Sequence, residues 1–375
     1  MLVSRRATLK RSWSQWPRQY TYWSGVVCFI LGFVCSASWS ERSGIFSIRN
    51  TLDLTTTDRP DDPPTVLVTG GLGFIGSHVV EDLHEHGFRV VVFDDMSNGK
   101  NFDVARNATA VLLKDITHLS DFDSIPIPID YVVHLAAAVS VVESVSMPEK
   151  YHRINVDGSR YVLEWAQRHK VKRVVAASTS SIYGDVPLDR IPLAESSANG
   201  GISPYATSKF EMEQLLESTS KQGLPTTALR IFNAYGPRQD PTSLYSGVVA
   251  FFMDQAMKNG NLVITGDGKQ LRDFIYVKDV AVAVRLAMLS QDTGFKAFNI
   301  CTGVKTTVLG LAQYVLAAFG SEASIEFREK RPADVRHSVC DPTKAQRQLG
   351  FTAQYSFEHG IAETWKWLSQ WPRLR

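Results

Sequence analysis

The stretch that most constrains this chain is Thr65 to His78, "TVLVTGGLGFIGSH". A β-branched apolar run passes straight into a glycine-rich turn, and an amphipathic window opens at Gly76. Glycine permits backbone conformations that other residues avoid and leaves no side chain in the way of a close approach. Gly70, Gly73 and Gly76 between a strand and a helix therefore predict a tight turn. The unpaired amides of the helix's first turn, Phe74, Ile75 and Gly76, then face an anion, favoured there by the helix dipole.

The pattern beyond Thr65 supports that placement. "TVLVT" (65–69), "RVVVF" (89–93), "VLL" (111–113), "YVVHLAAA" (131–138) and "RVVAAS" (173–178) alternate with helical windows at about 75–86, 151–169 and 204–222. Continuous apolar strands separated by helices indicate a parallel sheet covered on both faces. The expected fold class is α/β, a Rossmann-type doubly wound parallel sheet with a smaller mixed α/β substrate-binding domain. Residues 65–235 are assigned to the first unit, and 236–375 mainly to the second, interleaved with it. In the C-terminal "SFEHGIAETWKWLSQW", Phe357, Ile361, Trp365 and Leu368 share a helical face behind a Ser356 N-cap.

The second apolar run ends in Asp94, followed by Asp95. A carboxylate there accepts the adenosine ribose hydroxyls and repels a 2′-phosphate, so NAD is expected rather than NADP. Asp115 and Ile116, after the third run, are candidates to cap the adenine, although an Asp after a strand is also ordinary turn chemistry.

Composition excludes some classes. The chain of 375 residues has 40 Lys and Arg against 38 Asp and Glu, a net charge of +2. No long basic run occurs in the body, which argues against nucleic acid. Cys28 and Cys35 lie in an N-terminal apolar stretch, and Cys301 and Cys340 are too few for a disulfide framework or a cysteine metal site. No metal is expected.

The first 64 residues read separately. Arg5, Arg6, Lys10, Arg11 and Arg18 precede an uncharged run bounded by Trp23 and Trp39. That run reaches about 25 Å as a helix, enough for a thin bilayer. The reading is a basic cytoplasmic tail (1–19), a transmembrane signal anchor (20–39) and a polar stem (40–64), with a luminal catalytic part in a Golgi or ER membrane. A cleaved signal or an organelle-targeting segment is the alternative. The sole acceptor sequon, Asn107 to Thr109, bears on the same question.

"SPYATSK" sets Tyr205 and Lys209 four apart on one helical face. A tyrosine acting as base near neutrality needs its pKa lowered from about 10. A neighbouring ammonium and the positive nicotinamide can supply this. With the glycine turn, "HLAA" (134–137), Asn155, "TSSIYG" (179–184), "RIFNAYGPRQDP" (230–241), "GDGKQLRDFIYVKDV" (266–280) and "RPADVRHSVCD" (331–341), the chain resembles the extended short-chain dehydrogenase/reductases, specifically the sugar-nucleotide epimerases and dehydratases. The resemblance covers essentially residues 65–371.

That resemblance implies roles. Thr179 is the hydroxyl that bonds the reacting oxygen, Tyr205 the base, and Lys209 its electrostatic partner and ribose anchor. Ala136, Ala137, Asn155 and Phe232 join the cofactor set. Ser140, Asn233, Val248, Arg272, Arg331, Asp334 and Ser338 would hold a nucleotide diphosphate-sugar, with the two arginines on the phosphates. Relatives that dehydrate or decarboxylate place an acidic residue just after the hydroxyl, where this chain has Ser180 and Ser181. A 4-epimerase is therefore expected, acting on UDP-GlcNAc/UDP-GalNAc or UDP-Glc/UDP-Gal. The alternatives are a UDP-glucuronate 4-epimerase, a lyase (4,6-dehydratase or UDP-glucuronate decarboxylase) and a non-catalytic NAD-binding regulator. Ser338 falls where UDP-hexose epimerases carry a gating residue, and a small one leaves room for an acetamido group. Ala333 replaces a usual glycine and Cys340 a usual alanine. Relatives commonly form homodimers through a four-helix contact.

Overall fold

The computed structural model describes residues 36–40, 45–49, 62–243, 247–330 and 334–371. Seven parallel strands form the main sheet, in the spatial order Ala110–Leu113, Arg89–Asp94, Thr65–Thr69, Tyr131–His134, Arg173–Thr179, Thr226–Ile231 and Phe295–Ile300. Strand order reverses beside Thr65–Thr69, so a crevice opens beyond the carboxyl ends of that strand and its neighbour Tyr131–His134. Val66, Leu67, Val68, Val90, Val91 and Val92 are fully buried, which explains the unbroken apolar runs. Burying each such side chain contributes about 1.5–3 kcal/mol.

The helix Phe74–Glu85 covers one face with Val79, Val80 and Leu83. On the other face Val162, Leu163, Trp165 and Ala166 of the helix Gly158–Arg168 pack on Leu67, Val132 and Val174. The expected helix at 151–169 begins earlier, at Pro148, and passes through a π-helical turn at Arg153–Asp157. The expected strand 131–138 stops at His134, because Leu135 and Ala136 leave the ladder to bond Thr69 instead.

Smaller sheets form the second unit. Asn233–Tyr235 pairs with Phe274–Tyr276, Leu262–Thr265 with Ile325–Arg328, and Leu271–Arg272 lies between Thr306–Thr307 and His337–Ser338. The helices Val248–Met257, Val308–Phe319 and Phe357–Gln370 close a core around Tyr235, Phe252 and Leu311. Ser356 caps the last helix by accepting from the His359 amide, and Trp365 stacks on Phe319. Past residue 236 the chain also returns to the first unit: Phe295–Ile300 is a strand of the main sheet, and the helix Val277–Leu289 packs on Val79 and Val80.

The N-terminal reading meets a partial difference. Ser36–Ser40 and Ile45–Arg49 form an antiparallel hairpin, whose second strand adds to the sheet edge through Ile45 opposite Leu112 and Phe46 opposite Val111. Part of the expected stem and the last four residues of the expected anchor, Ser36–Trp39, are therefore strand, in keeping with the β-forming Ile45, Phe46 and Ile48. The rest of residues 1–61, including most of the expected anchor, lies outside the described residues. Among the described residues no helix is long and apolar enough to cross a membrane.

Candidate functional site

The glycine turn is built by close approach. Gly70 has φ +71°, and a Cβ there would lie 2.7 Å from the Ala136 amide nitrogen. A Cβ on Gly76 would lie 2.0 Å from the Gly70 carbonyl oxygen. Larger residues at either position would push apart the first strand, its helix and the Leu135–Ala137 segment. Gly73 caps the helix without a side-chain bond, and no acidic residue occupies its first turn. The leading amides at Phe74, Ile75 and Gly76 have no intrahelical partner.

Asp94, 6% exposed, accepts from the Leu72 amide at 2.9 Å and the Met96 amide at 2.8 Å. Burial pushes its pKa up to about 6, against the pull of the two amides. Each carboxylate oxygen keeps a lone pair, so the group can still accept hydroxyls. Asp95 is exposed and accepts from Ser97. The cradle and the carboxylate together fit a dinucleotide.

Other expected cofactor contacts are engaged within the chain. Asp115 closes a turn by accepting from the Thr117 amide, and Ile116 is buried against Gly158. Asn155 accepts from the Ala138 amide at 2.8 Å and donates to the Ala138 carbonyl and Ser208 Oγ, both at 3.0 Å. Both of its amide hydrogens are engaged within the chain, so Asn155 ties Ala138 to the helix Pro204–Lys221. Phe232 is likewise a buried core ring, tilted against Tyr183 at 6.0 Å.

The reacting groups converge at the end of Arg173–Thr179. Ser203 caps the helix Pro204–Lys221 and fixes its first turn, where Tyr205 sits. The Tyr205 phenol lies beside the Thr179 hydroxyl. Burial raises the Tyr205 pKa, and the neighbouring Thr179 hydroxyl opposes that rise. Lys209 Nζ donates to the Ala177 carbonyl at 2.9 Å. Burial lowers its pKa to about 8, and Glu213 opposes that shift. The Tyr151 ring meets Tyr205 edge-on at 6.2 Å.

Thr179 Oγ1 donates to Ser181 Oγ at 3.2 Å and accepts from the Ser181 amide at 3.1 Å. These partners and Tyr205 are neutral hydroxyl or amide groups, so no carboxylate bonds Thr179 among the described residues. Ser140 caps the helix Val141–Ser146, and its amide donates to Tyr151 Oη at 2.9 Å.

In the second unit, Arg272 Nη2 donates to Asp334 Oδ1 at 2.7 Å. The Asn233 amide group donates to the Asp273 carbonyl at 3.0 Å, and Val248 opens its helix half-buried. Ser338 is 4% exposed, and its hydroxyl has no partner among the described residues. Arg331 and Ala333 lie outside the described residues.

Cys301 and Cys340 are disulfide-bonded with Cα atoms 6.4 Å apart. The sequence reading counted them without pairing them, because 39 positions separate them and only the fold brings both to Asp273. It also missed Glu213 and Arg230, although an arginine inside the apolar run "TTALRIF" was a signal that a buried partner must exist.

The profile of the NAD dependent epimerase/dehydratase family matches residues 66–301. A UDP-glucose 4-epimerase from Bacillus subtilis is 31% identical over 330 residues, covering 81% of this chain and 96% of that one. The crystal structure of a Thermotoga maritima UDP-glucose 4-epimerase with UDP-glucose is 38% identical, with a TM-score of 0.78 over 82% of this chain and 99% of that one. A Methanobrevibacter ruminantium UDP-N-acetylglucosamine 4-epimerase in complex with UDP-N-acetylmuramic acid is 35% identical, with a TM-score of 0.77 over 83% and 99%.

Proposed function

The chain belongs to the NAD-dependent epimerase/dehydratase family, and from that membership we propose that it interconverts C4 epimers of a UDP-sugar, with UDP-GlcNAc and UDP-GalNAc the preferred pair. NAD is the cofactor, and when bound it would supply a reversible hydride acceptor for the sugar's C4. The chain's own residues handle the proton. Tyr205 takes it from the C4 hydroxyl, and Thr179 holds the same oxygen through oxidation and return. The Lys209 ammonium, fixed on Ala177, favours the phenolate that burial alone disfavours.

The observation that carries this reading is Thr179 beside Tyr205, with Ser181 and not a carboxylate as the hydrogen-bond partner of its hydroxyl. Elimination of water or carbon dioxide needs a further acid and base, whereas reversible oxidation does not. Preference for the acetamido sugars rests on Ser338, a small buried side chain whose hydroxyl has no partner among the described residues. Arg272 would face the diphosphate.

The test uses the full chain loaded with NAD and given UDP-GlcNAc, UDP-glucose and UDP-glucuronate separately, with products followed by proton NMR. An equilibrium mixture of UDP-GlcNAc and UDP-GalNAc supports the proposal. Turnover of UDP-glucuronate alone would move the substrate to the uronates. A 4-keto-6-deoxy sugar or released carbon dioxide would identify a lyase, and no product from any sugar would point to a binding protein.

We further propose that the apolar segment N-terminal to Ser36 anchors a homodimeric enzyme in a Golgi or ER membrane with its catalytic part in the lumen. The Cys301–Cys340 bond supports an oxidising compartment, and half-buried Asn107 is the acceptor to examine there. A mobility shift on enzymatic deglycosylation, lost in Asn107→Gln, would establish luminal exposure, and light scattering reads the oligomeric state.

A further inference from the structure

Behind the reacting groups lies a polar cluster that the proton transfer does not use. Glu213 is on the helix Pro204–Lys221, one turn beyond Lys209 and two beyond Tyr205, and is 3% exposed. Its carboxylate accepts from Ser178 Oγ at 2.5 Å, Arg230 Nε at 3.0 Å and Arg230 Nη2 at 2.7 Å. Arg230, 5% exposed, also donates from Nη1 to Tyr183 Oη at 3.1 Å and to the Glu195 carbonyl at 2.6 Å. Tyr183 Oη in turn donates to Asn299 Oδ1.

Ser178 immediately precedes Thr179, and Tyr183 ends the single 3₁₀ turn that follows it. One ion pair therefore grips both flanks of Thr179 and ties them to the helix that carries Tyr205. Buried ion pairs return little net stability compared with apolar packing. A fully satisfied one does fix geometry, because either partner left alone is costly.

We propose that Glu213, clamped by Arg230, is a positioning residue that holds Thr179 and Lys209 in register with Tyr205. The proposal rests on the assignment of Tyr205 as the proton-transferring group. The groups around Lys209 are few. Tyr205 and Glu213 share its helix, and the Ala177 carbonyl comes from the strand of Thr179. His134 comes from the adjacent strand, held neutral by burial and by the Lys209 charge, with its pKa lowered to about 3. Arg230 stands on the far side of Glu213. Among the described residues Glu213 is thus the anion acting on Lys209, and it opposes the loss of the proton that burial promotes.

The experiment compares the full NAD-loaded chain with Glu213→Gln, the double variant Glu213→Gln with Arg230→Gln, and Tyr205→Phe, using UDP-GlcNAc and UDP-glucose as probes. In Glu213→Gln the alkaline limb of the kcat profile should move to lower pH by at least about half a unit. At neutral pH kcat should fall at least about tenfold while KM changes less than about threefold. The double variant, with no charge left unpaired, should recover thermal stability and keep the displaced limb. Recovery of both stability and the wild-type pH profile in the double variant would overturn the proposal, leaving a purely structural pair. An unmoved limb in Glu213→Gln would do the same. Tyr205→Phe separates the two readings: retained turnover there removes the tyrosine assignment itself, whereas lost turnover with an unmoved Glu213→Gln profile removes only the role of Glu213.

Discussion

Arg272 Nη2 and Asp334 Oδ1 are 2.7 Å apart, so the guanidinium expected on the diphosphate is already aimed by a carboxylate from the loop before Ser338. A second bond, from Nη1 to the Leu271 carbonyl, holds its other arm. The remaining donors are presented in a fixed plane. Arg272→Lys should therefore raise KM for the UDP-sugar by roughly 10- to 100-fold, as expected for losing hydrogen bonds to a charged group. Steady-state kinetics with kcat nearly unchanged would bear this out; a fall in kcat at constant KM would not.

Tyr205→Phe removes the proton acceptor but keeps the ring packed against Tyr151. Turnover should drop by about 10²–10⁴-fold, the usual worth of a positioned proton-transfer group. Bound NAD, measured after denaturing the purified protein, should stay at the wild-type ratio. Normal activity in this variant would refute the mechanism.

The Asp94 carboxyl gives NAD affinity a defined pH dependence. Its pKa stands near 6, above the ordinary 3.8, because the ionised form is buried. The folded protein thus holds a proton that the unfolded chain releases between these values. Stability from this group is present below about 3.8 and is lost as the pH rises through about 6. NAD binding runs the other way, since ribose hydroxyls donate to the ionised carboxylate. Calorimetric titration of cofactor-free protein should show affinity rising between pH 5 and about 7, and Asp94→Asn should be weaker and flat over that range.

Ser338→Tyr would fill the space assigned to the acetamido group. UDP-GlcNAc turnover should fall at least about tenfold, while UDP-glucose turnover stays within a few-fold, because overpacking penalises the larger substrate first. Equal losses on both sugars would show that position 338 does not gate the pocket.

The Cys301–Cys340 bond encloses a loop spanning 39 positions, containing the helix Val308–Phe319 and the segment leading to Ser338. Replacing both cysteines by alanine should lower stability by about 2–4 kcal/mol. Denaturant unfolding under non-reducing conditions measures this, and wild type treated with reductant should approach the variant.

The sheet and the glycine turn were legible in the sequence because both follow from local pattern: unbroken apolar strands, and glycines where a Cβ meets backbone. Thr179, Tyr205 and Lys209 stand out as candidates because helical spacing and motif order carry them, and the fold brings them to one strand end. For Asn155 the motif shows where the amide falls and not that Ala138 and Ser208 engage its hydrogens, which only the fold reveals. Glu213, Arg230 and the cysteine pair depend on contacts between distant segments, which periodicity does not encode. The strand Phe295–Ile300 was missed for a similar reason: "FKAFNI" has a lysine near its start and follows a stretch of loosened alternation.

That last strand has a further consequence. Because Phe295–Ile300 completes the sheet beside Thr226–Ile231, the chain leaves the first unit, builds most of the second, and comes back. No cut near residue 235 yields a fragment with its full complement of strands, and the two halves cannot swing freely as bodies joined by one thread. Whatever opens to admit substrate must be drawn from the loops between them.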